Sequence, residues 1–167
     1  YNTTYTISAS SVKGYTKKIS ESSITASQQT RTVTVTYTKI PNGVFIFDNT
    51  GALTAVGNWN TSNNSSAIGV AVISDNCAFV IEKTVSYSYK IWGGHETTIS
   101  GVITITNHDT AKTDYAGETN TTKIINQLGS GKNAPAADYC RGRSCTVNGT
   151  TLYGYLGALG EWQTAYN

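Results

Sequence analysis

The chain has 167 residues and a formal net charge of +2, and only 13% of its residues are charged. Its lysines and arginines are scattered singly, so the sequence lacks the basic stripe that nucleic-acid binding requires. Its apolar runs are far shorter than the ~20 residues of a membrane-spanning helix. We therefore expect neither a nucleic-acid partner nor a membrane span.

The chain opens on Tyr1 and carries no signal-like stretch. We expect its natural start, with any export signal, to lie upstream. The polar residues are mainly Thr, Ser, Asn and Gly, and β-branched threonines favour strands over helices. The composition therefore favours a β-rich fold.

The first forty residues differ in pattern from the rest. RTVTVTYTKI alternates strictly, with Val33, Val35 and Tyr37 on one face, which predicts a half-buried antiparallel strand. The preceding KKISESSITASQQT reads as a weaker strand with turns. The Pro–Asn–Gly cluster at 40–43 is a turn signal, so we interpret residues 1–40 as a small β module or the end of a preceding repeat.

Six strand patterns follow this boundary. GVFIF at 43–47 is a short apolar strand, and ALTAV is its returning partner after a turn at 48–51. AIGVAVI and AFVIEK flank SDNC and predict a hairpin centred on Asp75 and Asn76. TVSYSYKIW and TTISGVITI predict two further strands on either side of Gly93 and Gly94.

Helical patterns occur only in the last third. ETNTTKIINQLG predicts a helix capped by Thr119 or Asn120 and ended by Gly129. NAPAADYC predicts a second helix, with Asn133 as its cap and Pro135 in its first turn. Together with the strands, these helices predict a β-rich α+β fold.

The C-terminal stretch predicts a hairpin and a third helix. Asn148–Gly149 is a hairpin turn signal. Leu159, Trp162 and Tyr166 recur at helical spacing in GYLGALGEWQTAYN, and no residue closes the helix after them. We expect this stripe to face inward and to be covered by chain downstream of Asn167, so that the given sequence is a fragment or the ordered part of a longer chain.

Catalytic and metal-binding patterns are weak. His95 and His108 read as polar residues at two loop tips, since His108 and the adjacent Asp109 would point to opposite faces of a strand. A zinc site built from Cys140, Cys145 and one histidine would need an unusual C-x4-C pair. We expect no catalytic residue, no metal and no cofactor.

The three cysteines leave two alternatives open. Cys140 and Cys145 form a candidate disulfide around CRGRSC in an oxidising compartment, or they are two free thiols near a turn. Cys77 lies in an apolar hairpin pattern and is expected to behave as a small core residue.

Two tryptophans are candidate ligand platforms. Trp59 in NWNTSNN and Trp92 in KIWGGHE lie in loop-like settings rich in hydroxyl and amide groups, a combination that suits sugar recognition. Tryptophan is highly buried on average, so a core position is the alternative for each. Tripeptides of the N-x-S/T type recur, but a chain this rich in Asn, Ser and Thr produces them by chance.

From residue 41 the order of motifs resembles a known family. The motifs are PNGVFIFDNTGAL, NWNTSNNSSAIGVAVISDNCAFVI, IWGG, TAKTDYAGETNTTKII, ADYC and GYLGALGEWQTAYN. They resemble surface and fibre proteins of gut anaerobic bacteria and their phages, which carry a C-type-lectin-like domain related to the formylglycine-generating-enzyme fold. Residues 1–40 resemble the small β repeat modules that precede such domains.

The resemblance implies that residues 41–167 are the first part of a C-type-lectin-like domain, incomplete at the C-terminus. It implies recognition without catalysis, because the late reactive cysteine pair of the oxidase relatives has no match, and no calcium-binding motif occurs. The expected function is an extracellular phage virion fibre module that displays a receptor- or glycan-binding domain. A bacterial adhesin is the alternative, and an enzyme of the related fold is a remote one.

The partners implied are a host surface glycan or protein receptor, together with other virion or surface proteins. Because phage fibres are commonly trimeric, a homotrimer is the expected assembly.

Overall fold

A computed structural model describes residues 3–27, 30–84, 90–92, 97–103, 106–129 and 131–167. In these ranges the protein is a mixed α+β structure with four small antiparallel sheets and four α-helices. The chain divides into two compact units. We call Tyr1–Asn42 the N-terminal unit and Gly43–Asn167 the C-terminal unit.

The N-terminal unit consists of two separate two-stranded ribbons. One ribbon pairs β1 with β3, and the other pairs β2 with β4, both antiparallel. The strands are β1 (Thr4–Thr6), β2 (Tyr15–Ile19), β3 (Ser23–Thr25) and β4 (Val35–Lys39). β4 lies in the alternating RTVTVTYTKI, and the weaker pattern KKISESSITASQQT covers β3 and most of β2.

Burial in the N-terminal unit is low. Tyr15, Ile19, Val35 and Tyr37 share one face of the β2–β4 ribbon, as alternation predicts. Val35 is half-buried, whereas Tyr37 is exposed, and the Tyr37 hydroxyl donates to the Ser10 carbonyl at 2.7 Å. No described residue of this unit is buried.

A four-stranded antiparallel sheet forms one part of the C-terminal unit. Its order is β6-β5-β7-β8, and the predicted GVFIF–ALTAV pair and the hairpin around SDNC are both confirmed. The central strand β7 supplies the buried Ala71, Val72 and Ile73. The strands are β5 (Gly43–Asp48), β6 (Leu53–Ala55), β7 (Ala67–Ile73) and β8 (Ala78–Glu82).

The other part of this unit holds the helices and a hairpin. A small apolar core of Ile124, Ala134 and Ala137 lies between the second and third helices. The elements are α1 (His108–Ala111), α2 (Gly117–Leu128), α3 (Pro135–Gly142), β9 (Ser144–Val147), β10 (Thr150–Tyr153) and α4 (Leu159–Tyr166). The predicted Asn148–Gly149 turn joins β9 to β10.

The predicted cap of α2 is wrong. Thr119 and Asn120 lie inside the helix, which begins at Gly117. The reason is Asp114, whose side chain accepts hydrogen bonds from the Ala116 amide at 2.9 Å and from the Asn120 side-chain amide at 2.8 Å. The cap residue of α2 is Ala116, and no side chain caps the helix.

The predicted cap of α3 is also wrong. Asn133 donates its side-chain amide to the Leu128 carbonyl at 2.9 Å instead of capping the helix. Ala134 occupies the cap position, and Pro135 begins the helix as predicted. Gly129 ends α2 as predicted, with a φ of 79°, a left-handed value that glycine adopts without strain.

Part of the predicted strand pair after β8 lies outside the described residues, which omit 85–89, 93–96 and 104–105. The described stretch 97–103 contains no strand. Gly93, Gly94 and His95 fall in the omitted part.

Candidate functional site

A buried carboxylate anchors α4 to the rest of the C-terminal unit. Glu161 is only 1% exposed. Its two oxygens accept hydrogen bonds from the Ala158 amide at 2.9 Å and from the Tyr155 hydroxyl at 3.2 Å. Burial, followed by the neighbouring Glu161 charge, raises the pKa of Tyr155 well above its usual range.

The contact between α2 and the segment that leads into α4 contains further buried polar groups. Thr121 is fully buried, and its hydroxyl donates to the Gly117 carbonyl at 2.8 Å and accepts from the Leu156 amide at 2.9 Å. Asp114 is buried and accepts two hydrogen bonds, and its backbone carbonyl accepts from the Gly160 amide at 3.0 Å. Every buried side-chain polar atom in the described part of the chain has a partner. These groups therefore hold the segment from Leu156 into α4 against the start of α2.

Of the two histidines, His108 lies within the described residues. His108 is exposed at the first position of α1, so it lies in a short helix and not at the predicted loop tip. Asn107 explains the difference, because its side chain accepts from the Thr110 amide at 2.8 Å and caps that helix. His95 lies outside the described residues. Across the described ranges, no three His, Cys, Asp or Glu side chains are grouped to hold a metal.

All three cysteines are free thiols in the structure. Cys77 is buried, which confirms its predicted core position. Cys140 in α3 and Cys145 in β9 are half-buried, and burial raises the pKa of both thiols. A raised pKa keeps a thiol protonated and poorly reactive, and the pairing of Cys140 with Cys145 stays a prediction.

Trp59 is half-buried in a polar loop between β6 and β7. Its indole Nε1 donates to the Asn64 side-chain oxygen at 2.8 Å, which fixes the ring within its own loop. Two single 3-10 turns, Val56–Asn58 and Thr61–Asn63, shape this loop. Part of the ring is therefore available to a ligand, and its orientation is set in advance.

Trp92 is 67% exposed, and the adjacent Ile91 is 74% exposed. A core position for Trp92 is therefore wrong. Lys90, immediately before them, places its ammonium 4.9 Å from the centre of the Tyr139 ring on α3. This cation–π contact connects the segment 90–92 to α3.

A third tryptophan is exposed on α4. Trp162 is 49% exposed, and Leu159 and Tyr166 are exposed beside it at helical spacing. The residues of α4 that pack inward are instead Gly160 and Glu161. The sequence identified the apolar stripe, but within the described chain that stripe faces outward.

A shallow cleft of about 310 Å³ lies where the ends of β5 and β8 and the start of β7 meet the β9–β10 hairpin. Arg143 forms an ion pair with Glu82 at its wall, with one nitrogen–oxygen distance of 3.1 Å. Lys83 donates to the Asn64 carbonyl at 3.0 Å. We call this the polar cleft; its lining residues are Asn49, Ser65, Ser66, Ala67, Ile68, Glu82, Lys83, Thr84, Cys145 and Thr146.

The polar cleft was missed by sequence reasoning because its residues come from four separate segments. Asn49 follows β5, Ser65 precedes β7, Glu82 ends β8 and Thr146 lies on β9. No spacing rule connects such positions before the sheet is known.

No helix within the described ranges has the length and apolar character needed to cross a membrane. Comparison with known proteins gives no match to any family model, to any curated protein or to any solved structure.

Proposed function

We propose that this protein is a non-catalytic extracellular module of a phage virion fibre that displays a receptor- or glycan-binding domain. In this proposal residues 1–40 are a small β module and residues 41–167 belong to a C-type-lectin-like domain. The observation that carries the proposal is the exposed pair of Ile91 and Trp92. The motif order described above supplies the fibre context.

Ile91 and Trp92 place two large apolar side chains next to each other in contact with water. Large apolar residues that lie side by side on a surface mark interaction sites more often than scattered ones do. Tryptophan is enriched among the residues that dominate binding energy. Because Lys90 contacts Tyr139, the segment that carries Trp92 has a fixed point next to the exposed pair. A ligand would therefore meet a platform that loses little conformational freedom on binding.

A homotrimer is part of the same proposal. The N-terminal unit contains two ribbons with no buried described residue. Isolated two-stranded ribbons are marginally stable in water, and a unit of this size rarely has enough core. Contact with identical ribbons of neighbouring copies would bury the exposed Tyr15 and Tyr37. If the full chain sediments as a stable monomer at all concentrations tested, the trimer proposal is wrong.

The central experiment tests Trp92→Ala in the full chain for binding to whole bacterial host cells. We expect a loss of about 2 kcal/mol in binding, roughly 30-fold, as is typical for a dominant interface residue. The melting temperature should stay nearly unchanged, because the side chain is mostly exposed.

Trp162→Ala is the matched control, since it removes another exposed indole from a different element. We expect that variant to bind like the wild type. Equal binding by Trp92→Ala and wild type would contradict the proposal. Mass spectrometry of purified virions separates the fibre from the bacterial adhesin, because an adhesin would be found with the cell surface instead.

A further inference from the structure

We infer that the polar cleft, together with Trp59, is a saccharide-binding site distinct from the surface around Trp92. The inference rests on the proposed recognition function and adds to it a second location and a ligand class. It depends on three features of the described residues: unpaired polar groups, a fixed pair of charges and an adjacent aromatic ring.

Three polar side chains of the cleft are unpaired among the described residues. The side chains of Asn49, Ser65 and Thr146 line the cleft, and none has a hydrogen-bond partner within the described part of the chain. An amide and two hydroxyls can each donate and accept. Sugar hydroxyls also do both, so these groups match a polyhydroxylated ligand better than they match an anion or an apolar one.

The charges at the wall are arranged for the same chemistry. Glu82 is held by Arg143, which offsets its charge and fixes its oxygens. A carboxylate has about four lone-pair sites, so acceptor capacity remains for a ligand hydroxyl. Lys83 uses one of its three donors on the Asn64 carbonyl. A single uncompensated cation is too little for a phosphate-binding site, but it accommodates a neutral or mildly acidic sugar.

The aromatic ring lies next to these groups through Asn64. The Asn64 side chain accepts from Trp59 Nε1 at 2.8 Å, and its backbone carbonyl accepts from Lys83 Nζ at 3.0 Å. Ser65, the next residue, lines the cleft. Trp59 is therefore two hydrogen bonds from Lys83, and a partly exposed ring beside polar groups suits a sugar, which has both an apolar face and hydroxyls. The cleft volume of about 310 Å³ is at the small end of ligand sites, which fits one or two sugar rings.

The test uses the full chain and a panel of neutral and sialylated oligosaccharides, followed by NMR titration with the oligosaccharides that bind. We expect amide shifts at Asn49, Ser65, Lys83 and Thr146. Ser65→Ala and Thr146→Val should each weaken binding about 2- to 10-fold, the usual effect of one lost hydrogen bond.

Thr150→Val is the matched control. Thr150 is an exposed threonine on the same hairpin, but it lies outside the cleft lining. It should leave both binding and the melting temperature unchanged. Equal weakening by Thr146→Val and Thr150→Val would overturn the inference.

The two proposals fail differently. Saccharide binding with shifts confined to Ile91 and Trp92 would overturn the cleft inference and leave the proposed function standing. Binding to host cells that no saccharide of the panel inhibits would have the same meaning. Absence of binding to both cells and saccharides would overturn both proposals.

Discussion

Gly117 occupies a position where a single methyl group would meet the buried polar junction. A methyl at Gly117 would collide with the Glu161 carboxylate and would lie 2.7 Å from the Ala158 nitrogen and 2.9 Å from the Leu156 oxygen. Helix propensity alone favours alanine over glycine by about 1 kcal/mol. The steric cost of an overpacked site is about 1–3 kcal/mol. The contact should therefore prevail over the propensity.

We predict that Gly117→Ala lowers the free energy of unfolding by up to about 2 kcal/mol, the difference between these two effects. Urea denaturation measures the change. Gly142→Ala is the control, because a methyl on Gly142 in α3 would meet nothing within 4 Å. Gly117→Ala with wild-type or higher stability would show that α4 can move away from α2 without cost.

The pKa of Asp48 is determined mainly by hydrogen bonds to its carboxylate. The Thr50 hydroxyl, 2.7 Å away, is the main cause that lowers the pKa of Asp48, with the Ala52 and Thr50 amides adding to it against the opposing effect of burial. A lowered pKa in the folded state means that the unfolded chain takes up its proton first. The carboxylate thus contributes stability above the ordinary Asp pKa of about 4, and that contribution is lost as the pH falls through the lower folded value.

We predict that Thr50→Val moves the pKa of Asp48 back toward its ordinary value, as followed by NMR titration of the side-chain carboxyl. The loss of stability as the pH falls below the ordinary Asp pKa of about 4 should become shallower in this variant. Thr61→Val, a threonine in the neighbouring polar loop, is the control. An unchanged Asp48 pKa would mean that the backbone amides alone set it.

At the scale of elements, the β9–β10 hairpin depends on its turn. Asn148 and Gly149 have φ values of 47° and 75°, the left-handed pair that a two-residue hairpin turn requires. A methyl on Gly149 would meet nothing within 4 Å. Any cost of a side chain there therefore comes from the backbone conformation.

We predict that Gly149→Ala destabilises the protein by about 1 kcal/mol, the usual cost of a left-handed L-residue. Thermal unfolding followed by circular dichroism measures it. Gly57→Ala, at a position with equal space and no left-handed backbone, should have little effect. Equal effects of the two substitutions would contradict the argument from φ.

Local signals predicted whole elements better than they predicted contacts. The two hairpins, Pro135 and Gly129 were predictable because each depends on a few neighbouring residues. The caps of α2 and α3 were not, because Asp114 and Leu128 satisfy Asn120 and Asn133 through the fold. These are tertiary choices among several polar residues, and sequence spacing does not rank them.

The candidate sites also differ in whether local sequence or tertiary contacts determine them. The loop setting of Trp92 was predictable from its glycine-flanked pattern, and the structure shows its side chain exposed, which excludes the core alternative. The polar cleft was not, since Asn49, Ser65 and Thr146 meet only after β5, β7 and β9 have come together. The packing face of α4 was unpredictable because glycine and a buried Glu161 carry no apolar signal.

At the scale of the whole molecule, the two units differ in how much they bury. No described residue of the N-terminal unit is buried, whereas β7 in the C-terminal unit carries Ala71, Val72 and Ile73 in its core. Backbone hydrogen bonds that lack a covering core open more often. The two units should therefore differ in local stability.

We predict that amides of β2 and β4 exchange with solvent faster than those of β5 and β7, as measured by hydrogen exchange and mass spectrometry on the full chain. The comparison is internal, because both sets are antiparallel strands in one sample. Protection should increase with protein concentration in β2 and β4 alone if copies associate through the ribbons. Equal exchange in both units at every concentration would contradict the argument.

The strand order of the N-terminal unit has a consequence for how the protein folds. Thr4 and Thr25 are bonded across β1 and β3 at a separation of 21 residues, and Thr16 and Thr38 are bonded across β2 and β4 at 22. Each ribbon therefore closes a long loop, and each loop contains a strand of the other ribbon. The β9–β10 hairpin instead closes over two residues. Loops must close before distant contacts form. We therefore expect folding to begin at this hairpin in the C-terminal unit, and we expect the interleaved ribbons to form more slowly.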